Sequence, residues 1–178
     1  MIELMAVLVI MGIMAAIAAP RLDISHYRVE SAMQALGSTL LVAQRAAVVK
    51  QHDVVVSFDE AGRMVRIHED ADNDALIDAG EDVRFRPLDA GVAFGRGGAP
   101  AFRIGGGPVS FTRVQAGRPA VTFHRNGTAS EEGGVYLTST RAVRSGGHPA
   151  DAKVIIVDRA TGRPTWFNYS RLTWKRGF

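Results

Sequence analysis

Hydrophobic residues follow three rhythms along this chain, and each predicts a different element. From Met1 to Ala19 the run MIELMAVLVIMGIMAAIAA is apolar except for Glu3, and Pro20 and Arg21 close it. At about 1.5 Å per residue, a helix of that length matches a hydrocarbon core of roughly 30 Å, so the run predicts a transmembrane helix. Beyond it, Val29, Met33, Leu36, Leu40, Ala43 and Ala47 recur at alternating spacings of four and three. That is one apolar stripe of an amphipathic helix reaching about Lys50, with Glu30, Gln34, Ser38 and Gln44 off the stripe. Pro20 lacks an N–H and predicts a kink where the helix leaves the bilayer. Gly37, inside the amphipathic half, costs about 1 kcal/mol relative to Ala.

After Lys50 the period falls to two. Asp53 to Phe58 and Arg63 to His68 predict two strands around the turn Asp59-Glu60-Ala61-Gly62. Further strands are predicted at Val83 to Leu88, Gly91 to Phe94, Ala120 to His124, Gly134 to Thr140, Lys153 to Asp158 and Pro164 to Tyr169. Asn126-Gly127, Ser145-Gly146-Gly147 and Ala160-Thr161-Gly162 supply turn chemistry between them, and residues 95–108 form a Gly-rich loop. The expected class is α+β: a long N-terminal helix, its first half transmembrane, packed on an antiparallel β-sheet or sandwich. The chain divides into a transmembrane segment (1–22), an amphipathic continuation (23–50) and a β domain (51–178).

Composition adds three constraints. The chain has 178 residues, which suits one soluble domain beyond the anchor. It has no cysteine, so the core alone must hold an outer domain in an oxidising compartment. The net charge of +3 is unevenly spread: residues 69–82 carry seven acidic side chains and no basic one, while residues 139–178 carry eight Lys/Arg against two Asp. Enzymatic signatures are missing. The five histidines form no HExxH pair, no Gly-x-Ser-x-Gly elbow occurs, and the glycines at 105–107 lack a following Gly-Lys-Ser/Thr. His124 and Asp158 lie on strands that can meet, but a structural histidine is the expectation, and no enzymatic activity is predicted.

Ile2-Glu3-Leu4-Met5, Val7 to Ile13 and Pro20 resemble the N-terminal segment of type IV pilins and type II secretion pseudopilins. A secretory signal peptide would begin with basic residues, and a plain anchor would not carry Glu3. Members of that family begin with a leader ending in Gly, followed by Phe-Thr-Leu-Ile-Glu. The chain begins at what would be the Leu, so an in-frame leader ending in Gly-Phe-Thr is expected just upstream. Val121-Thr122-Phe123, Asn126-Gly127, Val135-Tyr136-Leu137, Val154 to Val157 and Thr161-Gly162-Arg163 are similar to the H-type minor pseudopilins and the related fimbrial-T minor pilins, as is the acidic segment ending in Gly80-Glu81. The resemblance implies that a prepilin peptidase removes the leader and that the new amine is methylated. It also implies that Glu3 pairs with the amine of a neighbouring subunit during assembly. A carboxylate in lipid recovers much of its desolvation cost only beside a cation. Gly12, Ala15, Ala16 and Ala19 would let helices approach closely.

The acidic segment carries a second motif. Asp70, Asp72, Asp74, Asp78 and Glu81 stand at positions one, three, five, nine and twelve of an EF-hand spacing, and Leu76 would offer its carbonyl. Hard oxygen donors suit Ca²⁺, although Ala75 stands where Gly makes the turn and neither flank reads as a helix. The alternative is a solvated turn between strands. No other cofactor is expected. In the tail, Arg163, Arg171, Lys175 and Arg176 mix with Trp166, Phe167, Tyr169 and Trp174, a composition suited to a nucleic-acid backbone or, more plainly, to a terminal strand with a solvated face. Some fimbrial-T pilins bind DNA through Gly-Arg-x-Arg; here Gly162-Arg163-Pro164-Thr165 lacks the second Arg.

The expected function is therefore a minor pseudopilin of a type II secretion system. It would sit in the bacterial inner membrane by a single pass, with its C-terminal domain in the periplasm. Its partners would be other pseudopilins or pilins through the N-terminal helix, the prepilin peptidase, the inner-membrane assembly platform and a separate ATPase. The alternatives are a type IV pilus minor pilin, with DNA as partner, and a lone membrane-anchored β domain.

Overall fold

A computed structural model describes residues 2–18 and 25–177. The first helix, α1 (Ile2–Ala18), covers 17 residues, about 25 Å at the α-helical rise. No described helix is long and apolar enough to cross a membrane, so the expected span over 1–22 is not seen as one helix. Residues 19–24, with Pro20 and its expected kink, lie outside the described residues. From Glu3 to Met14 every residue of α1 is exposed, Leu4 and Met5 at 68% and 69%, so the apolar helix is bare.

The second helix, α2 (Ser25–Lys50), buries Val29, Ala32, Met33, Leu36, Gly37, Leu40, Ala43 and Ala47. These include every residue of the stripe read from the sequence. The stripe meets two five-stranded antiparallel sheets. The first has the order β3-β2-β1-β6-β5, built from β1 (Asp53–Asp59), β2 (Met64–Asp70), β3 (Asp82–Pro87), β5 (Val114–Gln115) and β6 (Arg118–Phe123). The second has the order β10-β9-β8-β7-β4, from β4 (Val92–Phe94), β7 (Gly133–Ser139), β8 (Lys153–Val157), β9 (Pro164–Ser170) and β10 (Thr173–Arg176). Alternation decides what each strand buries. Val54, Val56 and Phe58 of β1 join the α2 stripe, Val121 and Phe123 of β6, and Val135, Leu137, Ile155 and Val157 of the second sheet in one core.

Four elements go beyond the sequence expectations, one of them a single 3₁₀ turn at Pro149–Asp151. Ser139 ends β7 and caps a short helix, α3 (Thr140–Ser145), by accepting from Ala142 N, and Gly146 closes that helix at φ 64°. Strand β5 is two residues long. Strand β10 turns back through Arg171 and Leu172, both at positive φ (49° and 64°), as a two-residue hairpin turn requires. The Gly-rich loop covers the outer face of the second sheet. There Phe102, Ile104, Phe167 and Trp174 pack around Tyr136, whose hydroxyl accepts from Phe102 N at 2.8 Å and lies 2.9 Å from Gly105 O.

Candidate functional site

Three regions carry the residues singled out in the sequence. The first is α1, whose large apolar side chains from Leu4 to Met14 are exposed, with nothing among the described residues covering them. Glu3 stands in its first turn, exposed, where the helix dipole favours an acid.

The second is the acidic loop between β2 and β3. Asp70, the last residue of β2, is buried. Its Oδ1 accepts from Asp74 N (3.1 Å) and its Oδ2 from Ala75 N (2.9 Å). Asp72 Oδ1 also accepts from Asp74 N (3.3 Å), and Asp74 Oδ1 from Leu76 N (2.7 Å). Short acidic side chains thus satisfy the loop's own amides. Asn73 and Ala75 adopt φ 64° and 65°. Ala75 takes the left-handed conformation for which an EF-hand loop uses Gly, so this departure raises the cost of the turn without changing its direction. Carboxylate oxygens of Asp70, Asp72 and Asp74 lie within 4.8 Å of one another. This all-oxygen donor set fits a hard cation such as Ca²⁺. Asp78 is exposed and outside that cluster, and Leu76, expected to offer its carbonyl, is exposed on the same loop.

Glu81 has a different place. Its Oε1 accepts from Ala71 N (2.8 Å), and its Oε2 accepts from Asp78 N (3.0 Å) and His68 Nε2 (2.6 Å). It ties both ends of the loop to strand β2. The Asp78 amide, the His68 hydrogen bond and the Ala71 amide hold its carboxyl down to about 2. His68 is fully buried, and its Nδ1 lies 2.9 Å from Gln115 Nε2. The amide of Gln115 is oriented by Ala75 O, which accepts from its Nε2 (2.9 Å), and by Arg66 Nη2, which donates to its Oε1 (3.3 Å). Nδ1 of His68 is therefore an acceptor, and Nε2 carries the proton donated to Glu81. The sequence marked Glu81 as a cation ligand and His68 as an isolated histidine. Only the register His68↔Val83, with β5 folding over the sheet, brings them together. The one signal available beforehand was the spacing of His68 within a strand leading into the loop.

The third region is the tail. Arg163 precedes β9 and Arg171 follows it, so they stand at opposite ends of a seven-residue strand, roughly 26 Å apart. Lys175 pairs with Asn168 and Arg176 with Phe167. Neighbouring residues of a strand point to opposite faces, so the four cations form no single row. The aromatics are used in packing. Trp166 lies beside Gly37 of α2, and Phe167, Tyr169 and Trp174 pack on the outer face. His124 bonds Asp53 (Nδ1 to Oδ2, 2.8 Å), whereas Asp158 caps its own turn through Thr161 N (2.8 Å).

An exposed apolar helix thus precedes a second helix that is buried against two antiparallel sheets. The chain belongs to the family of the Type II transport protein GspH, whose model matches residues 32–161. Solved structures share the fold. Two of the minor pseudopilin EpsH from the Type 2 Secretion System of Vibrio cholerae are similar, at TM-scores of 0.51 and 0.52. They are 13% and 16% identical, cover 82% and 83% of this chain, and are themselves covered over 98% and 100% of their length. The type IV minor pilin FimU of Pseudomonas aeruginosa is similar at TM-score 0.50 and 14% identity, covering 85% of this chain and 96% of its own. No curated protein sequence matches.

Proposed function

We propose that this protein is a minor pseudopilin of a type II secretion system, adding to a periplasmic pseudopilus that drives protein export. The GspH family match carries this reading. The bare apolar helix supports it, because a surface with no partner among the described residues needs neighbours or lipid to cover it. Residues 1–22 act as the membrane segment before assembly and as the filament core afterwards, 23–50 bridge to the β domain, and 51–178 occupy the periplasm. Glu3 pairs with a neighbour's methylated N-terminal amine once the peptidase has acted, and the inner-membrane platform inserts the subunit. The mechanism is assembly, powered by a separate ATPase. The acidic loop binds Ca²⁺ through Asp70, Asp72 and Asp74, a reading supported by the convergence of their carboxylates.

The test is deletion of the gene in its host, with secreted proteins, surface pili and DNA uptake scored in parallel. Trapped exoproteins with normal pili are expected. Normal secretion with lost pili or DNA uptake would instead assign the chain to a type IV pilus, with Arg163, Arg171, Lys175 and Arg176 as the DNA-contact candidates.

A further inference from the structure

We propose that the end of the β domain beside the start of α2 rests on anionic lipid headgroups, held by Arg144, Arg171 and Lys175, with Leu172 inserted among the lipids. Strand register brings these residues to one end. Leu137 of β7 pairs with Lys153 of β8, which pairs with Asn168 of β9, so the three stand level. Lys153 also binds Glu30 of α2, roughly 8 Å along the helix from Ser25. Trp166 lies beside Gly37, farther along α2, so β9 runs toward the start of that helix, and β7 runs with it. Past the level of Asn168, β9 enters the turn Arg171-Leu172, roughly 7–10 Å on and about level with Ser25. Strand β7 leads into α3, which carries Arg144. Its first residue is tied to the same end. Thr140 N donates to Gly91 O (2.8 Å), and a Cβ on Gly91 would lie 3.4 Å from Arg28 Nη1.

The turn spends its two positions on side chains that the fold does not use. Arg171 and Leu172 both have positive φ (49° and 64°), the pattern of a type I′ turn, which favours Asn-Gly. Leu172 is nevertheless 88% exposed, so almost none of its surface packs. The hairpin that presents it is fixed from below: Trp174 packs on Tyr169 at 5.2 Å and donates from Nε1 to Pro100 O (3.2 Å). On α3, Val143 (51% exposed) and Arg144 form a second apolar and cationic pair at the surface. The acids described at this end already have cations beside them. Glu30 binds Lys153, Asp151 lies by Arg141, and Asp89 shares a shallow recess with Arg28 and Tyr27. Arg144, Arg171 and Lys175 are exposed and make no ion pair among the described residues. Surplus cations around an exposed apolar tip are the chemistry of binding to an anionic lipid surface.

Connectivity favours lipid as the occupant. Seven residue steps separate Ala18, the end of α1, from Ser25. Even a fully extended link therefore holds the two within about 25 Å. On the proposed function, on which this choice of occupant rests, α1 lies in the bilayer before assembly. The basic end then stays within reach of headgroups, whereas a soluble partner has to be captured from solution. The tether raises the local concentration of lipid at this end without any new contact. Docking fixes the orientation in which the unassembled subunit meets its neighbours.

The chain has no cysteine, so one introduced cysteine carries a nitroxide spin label at a chosen site. Thr173→Cys reports on the turn. Ala160→Cys reports on the opposite end, where Gln44 Nε2 donates to Thr161 O (2.5 Å), roughly 28 Å along α2 from Ser25. The full chain is reconstituted in vesicles of phosphatidylcholine alone or mixed with phosphatidylglycerol. Relaxation of the label by a water-soluble nickel chelate, compared with relaxation by oxygen, gives its depth. Protection of the label at 173 is expected with phosphatidylglycerol only, and none at 160. Arg171→Asn combined with Leu172→Gly supplies the residues this turn prefers, so the hairpin keeps its fold, checked by an undiminished Tm. The docked-to-undocked ratio should still fall at least about fivefold, the worth of one cation at an anionic surface. Arg159→Ala, an exposed arginine at the opposite end, should leave it unchanged. Equal exposure at 173 in both kinds of vesicle, unchanged protection in the double variant, or equal protection at 160 would each overturn the proposal. So would protection at 173 by a duplex oligonucleotide but not by phosphatidylglycerol. A chain that fails to float with the vesicles would overturn the membrane segment and the docking together, whereas a floating chain with 173 exposed overturns the docking alone.

Discussion

Gly37 sits in the middle of α2, where helix propensity alone argues against glycine, and the packing around it gives a quantitative expectation for Gly37→Ala. An added Cβ would lie 3.6 Å from Cε3 and Cζ3 of Trp166 and 3.9 Å from Cδ1 of Ile155, which is ordinary van der Waals contact. Nothing has to move. Removing the backbone freedom of a helical glycine is worth about 1 kcal/mol. Burying one more methyl against Trp166 adds up to about 0.8 kcal/mol. The variant should therefore gain about 1–2 kcal/mol, and for a chain of this size each kcal/mol raises Tm by roughly 2–4 °C. Thermal unfolding followed by tryptophan fluorescence measures this directly, since Trp166 is itself the contact. Gly134→Ala is the matched opposite, because its Cβ would fall 2.1 Å from Ile155 O, a backbone atom in β8 that cannot yield cheaply. It should lower stability by about 1–3 kcal/mol or more. An unchanged or reduced Tm for Gly37→Ala would show that Trp166 leaves no room on the helix for a methyl group and would refute the reasoning.

Three further outcomes are expected. Glu81 stays ionised in the fold down to about pH 2 but protonates near its ordinary value of 4.5 in the unfolded chain. Its contribution is complete above 4.5 and is lost as pH falls from there toward 2. Tm measured through that window should drop less steeply in Glu81→Gln than in the parent chain, and parallel curves would show that the clamp on the loop contributes nothing. Calorimetric titration should detect Ca²⁺ binding at millimolar or lower concentration, abolished by Asp70→Asn with Asp72→Asn; no heat from the parent chain would end that reading. Glu3→Ala should fold normally yet be depleted from isolated pseudopili, and incorporation at the parental level would remove Glu3 from the assembly mechanism.

Much of the architecture was legible before any coordinates. The stripe Val29 to Ala47 marked the buried face of α2 because helical periodicity is a local property, and the short apolar, β-branched runs of β1, β2, β6 and β8 marked strands for the same reason. Asp59 to Gly62 turned as its chemistry required, with Gly62 N donating to Asp59 Oδ1 at 2.8 Å. The short elements β5, β10 and α3 were not legible. Two to six residues carry too little periodicity, and their existence depends on a neighbour to pair with or a cap to start from. The chemistry divides along the same line. Spacing alone set Asp70, Asp72 and Asp74 on one loop, where their side chains reach one another through local turns. Glu81 needed strand register to find His68, and His68 needed β5 to bring Gln115 and fix its proton. Periodicity and turn chemistry are written in neighbouring residues, whereas a cluster assembled from distant segments exists only once the sheets have closed around α2.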